Sequence, residues 1–509
     1  MLPYCPSLDP TSIDKSIDPC IDFYHYACGG WQKKNPVPPD QTSWSISTKL
    51  FQENLDFLHG ILEQAASATR QRDNVTQEIG DFYAACMDEA TVEKRGISAI
   101  QQDLDAIAQL SSTDVMATLV ARLQLVYGDS IIFGSGSMQD PDNSEQVIAE
   151  LDQGGLGLPD RDYYTKDDAK SKETREHYLR HIQKIFELMG DNPETAKQNA
   201  DTVMRMETAL AKASVTLVER NDPYKLKHKM KVAELSQLAL AKLAGIRNKI
   251  GYPDKWRDYS SIKITRDDFA GNMARAAEFE SHRQINKIGK PVDHGEWIVP
   301  PPTVDAYYDA QMNDINFPAG VLQPPLYDPK MDDAPNYGDT GGNIGHELTH
   351  GFDDYGSQYD AKGNLRNWWT KEDRDQFNAR TKCIQDQFSQ YLVVEDVHVN
   401  GELTLGENIA DLGGEILAYM AWKGLTKDKK LEPIDGLTPE QRFFIGYAQW
   451  DCTNERPEDL RVRAMTDFHS PAQYRINGVV ANMPEFAQAF SCKPGQPMVK
   501  PTAKVCRVW

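Results

Sequence analysis

The chain has 509 residues, 40 % of them hydrophobic and 9 % aromatic, enough to fill more than one ordinary core, which excludes a disordered chain. Its 55 Lys and Arg against 76 Asp and Glu give a formal net charge of −21 that is scattered, not gathered in a tail, and that disfavours nucleic acid and anionic membranes as partners. No stretch reaches the roughly 20 consecutive apolar residues of a membrane helix, so no membrane segment is expected, and the opening MLPYCPSLDP lacks the basic and apolar blocks of a signal peptide.

Residues 43–213 read as successive amphipathic helices, with Leu50, Leu55, Leu58, Ile61 and Leu62 at helical spacing. A second helical run over 232–250 ends where IGYPDKWRDYS breaks the pattern with Gly251 and Pro253. The divisions expected are therefore an N-terminal segment, 1–42, a helical part, 43–250, and a third part, 251–509. Beyond the break, prolines delimit a β-favouring run over 303–308 and its return over 314–317. Helices follow at 342–355, 371–391, 406–423, 439–453 and 484–490, with no internal repeat. Eight cysteines, Cys5, Cys20, Cys28, Cys86, Cys383, Cys452, Cys492 and Cys506, cluster toward the two ends without a CxxC zinc pattern. An even number allows full pairing in any of roughly a hundred connectivities and favours an exported protein.

Chemistry concentrates in His346-Glu347-Leu348-Thr349-His350, an HExxH pattern that sets two imidazoles one helical turn apart on one face, where they can share a zinc ion. A chance match in this length has a probability of roughly 0.02. The FDD that follows Gly351 offers carboxylates able to orient an imidazole. A catalytic zinc wants a third protein ligand, and Glu407 in LTLGENIADLGG is the candidate, with Asp411 one turn on to accept the outer N–H of a ligand histidine. Glu and Asp at this spacing usually form a solvated helix face, but the surrounding run is apolar and glycine-rich. A zinc with three protein ligands keeps an open position where water is acidified, and Glu347, next to the first ligand, is the natural general base. His469 and Arg475 in DFHSPAQYRINGVV are candidate donors to the developing oxyanion, although alone each would read as a surface or structural residue.

DPCIDFYHYACGGW, FPAGVLQPP, GHELTHGFDD, WWT, TLGENIADLGG, DFHSPAQYRINGVV and the terminal CRVW occur in order, and together they resemble the signatures of the neprilysin-like zinc metallopeptidases. The resemblance implies a mainly α protein with a small β component. It would have two lobes, a thermolysin-like (gluzincin) catalytic lobe and a helical lobe, enclosing a chamber for modest-sized peptides, with residues 1–42 packed on the catalytic lobe. It implies one zinc per chain held by His346, His350 and Glu407, with Glu347 as base and Asp411 behind a ligand. His469 becomes the transition-state donor and Arg475 the residue holding the substrate carbonyl beyond the cut. VDAYY, with Asp305 and Ala306, becomes the edge onto which a peptide adds, and Val321 and Leu326 belong to an apolar pocket. It pairs Cys20 with Cys492, Cys28 with Cys452 and Cys383 with Cys506, and it implies an extracytoplasmic enzyme acting on peptides.

Three departures stand out. Near Leu238 the chain joins directly where family members carry well over a hundred further residues. Asp305 stands where the family has Asn, and Asn343 and Asp451 stand at positions resembling the apolar pocket, beside an apolar Trp450. The expected activity is hydrolysis of short peptides; the alternative is a non-catalytic or defective zinc-binding member.

Overall fold

The computed structural model describes residues 6–67, 72–110, 113–128, 131–223 and 235–508; Cys5 and the side chain of Leu238 lie outside this description. The chain is mostly helical with few strands, and it divides into two compact units. One comprises Asp56–Arg220 and Lys255–Asp293, the other Met1–Leu55, Asn221–Asp254 and His294–Trp509.

In the first of these, the helix Ala169–Leu188 packs beside Pro193–Ala213, which turns Ala196, Ala200 and Ala211 inward at helical spacing. Asn192 caps the second helix by accepting from the backbone N–H groups of Glu194 and Thr195, and Pro193 occupies the first turn, where a missing N–H costs nothing. A β-hairpin, Phe133–Asp140 with Asn143–Gln153, interrupts the region read as successive helices. Gly134 and Gly136 are poor helix formers, and Asp140-Pro141-Asp142 supplies a turn.

In the other unit a three-stranded sheet has the order β1-β3-β2, with β1 (Arg247–Gly251) parallel to β3 (Asp314–Pro318) and β2 (Tyr307–Asp309) antiparallel to it. The expected return strand is β3, whereas the run before it forms a strand only at its end. The helical reading of 232–250 ends early as well: the helix stops at Gly245 and the chain continues as β1.

In the same unit α1 (Gly342–His350) packs against α2 (Leu405–Thr426), and the main core draws on α2, α3 (Pro439–Gln449) and α4 (Ala472–Val480), with Trp422, Phe443, Phe444 and Ile476 fully buried. Backbones of α1 and α2 touch. A Cβ on Gly345 would meet the Gly414 carbonyl oxygen at 2.5 Å, and one on Gly414 would meet the His346 nitrogen at 2.4 Å. The glycines of LGG therefore set the distance between the two helices that carry the candidate ligands.

Disulfides join Cys20 to Cys492, Cys28 to Cys452 and Cys383 to Cys506, the pairs the resemblance implies. They span sequence separations of 472, 424 and 123 residues, so each closes a long loop of the unfolded chain. Cys86 is exposed and unpaired. Among the described residues no helix is long and apolar enough to cross a membrane.

Candidate metal centre

His346 and His350 project from one face of α1 with their Nε2 atoms 2.9 Å apart, and Glu407 from the first turn of α2 faces both. Its Oε2 lies 3.2 Å from His346 Nε2, and its Oε1 lies 3.6 Å from His350 Nε2. One ligand atom from each of the three residues lies within 4.8 Å of the others. The outer nitrogens are engaged elsewhere: His346 Nδ1 is 2.8 Å from Asp411 Oδ1, and His350 Nδ1 is 2.6 Å from Asp353 Oδ2. An ionised carboxylate only accepts, so each Nδ1 carries a proton and each ring turns its Nε2 toward the centre, where a bound metal would take the place of any proton there. Glu407 Oε2 has no hydrogen-bond partner despite being buried. Two facing imidazole nitrogens and a buried carboxylate oxygen without a hydrogen bond converge on one point, where a divalent cation can satisfy all three. The N, N, O donor set fits zinc with one position left open.

Charges around the centre follow the same design. Burial and the neighbouring His350 pull the His346 imidazole down, but Asp411 and Glu407 outweigh them and raise it to about 9. Burial lowers His350 likewise, and Glu407 and Asp353 raise it well above the usual histidine range. Burial would raise the Glu407 carboxyl, yet His469, His350 and His346 hold it well below the usual carboxylate range. Glu347, only 4 % exposed, is pushed up by burial against the opposing pull of His346 and His350.

A loop and α4 bring in the remaining candidates. His469 Nε2 is 3.3 Å from Glu407 Oε2, while its Nδ1 is held by Asp467 Oδ1 at 2.8 Å. Ser470, next in sequence, donates at 2.9 Å to the side-chain oxygen of Asn408, so the His469 loop is tied to α2 beside Glu407. Arg475 forks onto Asp411, with Nε 2.8 Å from Oδ2 and Nη2 2.7 Å from Oδ1, and its guanidinium lies 5.0 Å from the centre of the Trp450 ring. Burial alone would lift Asp411, but Arg475 and His346 bring it down to about 2.

A cavity of about 380 Å³ opens at the centre, lined among others by Asp305, Ala306, Glu347, Asp411, His469 and Arg475 together with the three candidate ligands. Val321 and Leu326 are not among its lining residues; they are buried in an apolar cluster with Ala306, Ile315 and Phe317. Asn343 and Trp450 line the cavity, whereas Asp451 does not, and burial pushes its carboxyl up to about 6 against the pull of Arg475. Sequence reasoning singled out neither Asp467 nor the Asn408–Ser470 tie, and it did not choose between the two carboxylates of FDD. Asp353 is the one that holds His350. An i, i+2 Asp-His pair and an i, i+3 His-Asp pair are too common to signal such roles from spacing.

An HExxH helix, a glutamate from a second helix, a buried carboxyl beside the first histidine and a cleft over them define a metallopeptidase centre. Models of peptidase family M13 match residues 19–286 and 305–506, and the chain belongs to peptidase family M13; it is a metalloendopeptidase. It is 28 % identical over 665 aligned residues to endothelin-converting enzyme 1 of Homo sapiens, covering 98 % of this chain and 86 % of that protein. It is 26 % identical to Neprilysin-3 of Drosophila melanogaster, covering 98 % and 85 %. The first alignment is longer than the chain, so the relative carries segments that are absent here. Among solved structures, the zinc metalloprotease ZMP1 of Mycobacterium tuberculosis in complex with an inhibitor superposes with a TM-score of 0.92 at 29 % identity, over 99 % of this chain and 100 % of that one. PepO from Lactobacillus rhamnosis shares the fold with a TM-score of 0.79 at 22 % identity, over 96 % and 99 %.

Proposed function

We propose that the chain is a zinc endopeptidase or oligopeptidase of short peptides, working outside the cytoplasm, with one zinc held by His346, His350 and Glu407. The observation that carries this reading is the convergence of two imidazole nitrogens and a buried carboxylate oxygen that has no hydrogen bond, beside the buried Glu347. Membership of peptidase family M13 and the three disulfides support the reaction class and the compartment.

Zinc, when bound, supplies Lewis acidity toward the scissile carbonyl and the attacking water. Glu347 takes a proton from that water and returns it to the leaving amine; burial raises the basicity of its carboxyl for this task. His469, whose pKa Glu407 and Asp467 raise against the cost of burial, serves through its Nε2 as donor to the oxyanion. Asp411 holds His346 on one side and Arg475 on the other. Arg475 keeps its remaining donors for a substrate carbonyl. β2 is an edge strand of its sheet, and Asp305 and Ala306 precede it at the cavity wall, which suits addition of an extended peptide there. Val321 and Leu326 back that wall through Ala306.

Two outcomes test these roles. His469→Ala is expected to lower kcat by on the order of 10²-fold while KM stays within about twofold, because an oxyanion donor acts in the transition state. A rise in KM with kcat unchanged would assign His469 to substrate binding instead. Zinc binding near pH 7 should release at least one proton per chain, because carboxylates keep the metal-free imidazoles protonated. Calorimetry in buffers of different ionisation enthalpy measures that proton count, and a value of zero contradicts the assigned ligands.

A further inference from the structure

Lys242 is fully buried, with 0 % of its surface exposed, on the helix Leu235–Gly245. An ammonium at such a position is costly unless its donors are satisfied and opposite charge is near. Its Nζ donates to the carbonyl oxygens of Gly356 at 2.5 Å and Tyr359 at 2.8 Å. The rings of Tyr308 and Phe352 lie 5.9 and 5.7 Å away. Burial lowers its pKa to about 7, against the opposing pull of Asp353 and Asp360.

The turn that Lys242 grips is the one that builds the support of a zinc-ligand candidate. The N–H of Gly356 donates to Asp353 Oδ1 at 2.6 Å, that of Tyr355 donates to the same oxygen at 2.8 Å, and the other oxygen of Asp353 takes the Nδ1 proton of His350. The peptide group around Gly356 has no slack. A Cβ at that position would meet the His350 carbonyl oxygen at 1.8 Å, so the turn lies flat on the end of α1. The backbone of Lys242 anchors a second group: Asn313 donates both to the Lys242 carbonyl and to the Ala361 carbonyl, and it accepts from the Tyr308 hydroxyl at 2.8 Å. One buried lysine thus ties its helix to the 353–361 loop and to the turn between β2 and β3.

We infer that Lys242 is a positioning residue for the metal centre: by fixing the Gly356 and Tyr359 carbonyls it fixes Asp353, and through Asp353 the orientation of His350. The inference rests on the zinc reading above. It gives a role to the helix Leu235–Gly245.

The test is a double-mutant cycle on zinc affinity, read by chelator competition in protein shown by circular dichroism to be folded. Lys242→Met keeps the aliphatic stem and removes the donors; it is expected to weaken zinc binding about tenfold. In an Asp353→Ala background, where the link is already cut, the same change is expected to cost less than about twofold. Equal costs in the two backgrounds, or wild-type affinity in Lys242→Met, overturn the inference. If Lys242→Met does not fold, hydrogen exchange of the wild-type chain with and without zinc decides. Zinc-dependent protection of residues 239–245 that rises in step with residues 353–361 supports the link, and protection confined to the loop overturns it. A wild-type chain that binds no zinc at all overturns the zinc reading itself, an outcome distinct from either.

Discussion

Glu347→Gln is expected to keep zinc and to lose peptide hydrolysis by on the order of 10³-fold, the range for removal of a positioned general base, the role proposed for Glu347. Glutamine matches the shape of glutamate but cannot accept a proton from water. The metal is retained because Glu347 is not among the three converging ligand residues, and its pocket tolerates a neutral group: burial already pushes the carboxyl up. Loss of activity should appear in kcat, with KM little changed, since the proton moves only after the peptide has bound. Metal analysis and steady-state kinetics on the same preparation check both halves. A variant that holds one zinc and cleaves as fast as wild type would remove Glu347 from the mechanism.

Asp411→Ala produces the largest structural effect, because one carboxylate serves two buried partners. It accepts from His346 Nδ1 and from both arms of the Arg475 fork, and its side chain is 3 % exposed. Removing it leaves the guanidinium buried without its counter-charge, a change that typically costs about 3–5 kcal/mol, and frees the His346 ring, which should weaken zinc binding about 10- to 100-fold. The pH dependence has a definite sign. A folded-state pKa of about 2 lies below the ordinary 3.8, so Asp411 contributes stability that is fully present above about pH 4. That contribution, about 2 kcal/mol, is lost as the pH falls from about 4 through 2. Urea unfolding of the metal-free protein across this range should show the loss in wild type and its absence in Asp411→Ala. Parallel curves for the two proteins would mean that Asp411 is not the paired carboxylate.

The metal centre was legible in the sequence because its chemistry follows helical spacing. His346 and His350, and separately Glu407 and Asp411, sit at i, i+4 on single helices, so the secondary structure alone puts each pair on one face. The close approach of the two helices at Gly345 and Gly414, by contrast, was not read from the glycine-rich run. What was not legible depends on turns and long-range packing. The 133–153 hairpin hides in a region of otherwise helical pattern, and β1 is five residues at the end of a helical run. Lys242 looks like any solvated lysine until the fold surrounds it with the carbonyls of Gly356 and Tyr359. Asp467 and Asp353 act through partners two and three residues away, a spacing too ordinary to mark them.

The segments that the relative carries and this chain lacks suggest a damaged centre, yet Lys242 is fully buried against the loop that supports His350. The supports of the three candidate ligands come from residues present in this chain: Asp353, Asp411 and, through Asn408 and Ser470, the His469 loop. Asp305 and Asn343, which the resemblance marked as departures, both line the cleft, and Asp305 stands at the start of the edge strand's approach. The Asp305 carboxyl accepts from the Ala306 N–H at 2.9 Å, and burial raises its pKa against that hydrogen bond.

The most direct measurement is cleavage of a defined mixture of short peptides by the zinc-loaded chain, with new termini read by mass spectrometry before chelation, after chelation and after return of one equivalent of zinc. Cleavage that disappears with the metal and returns with it is the predicted result. A folded protein that holds one zinc per chain and leaves every peptide intact would contradict the assignment of this centre to peptide hydrolysis.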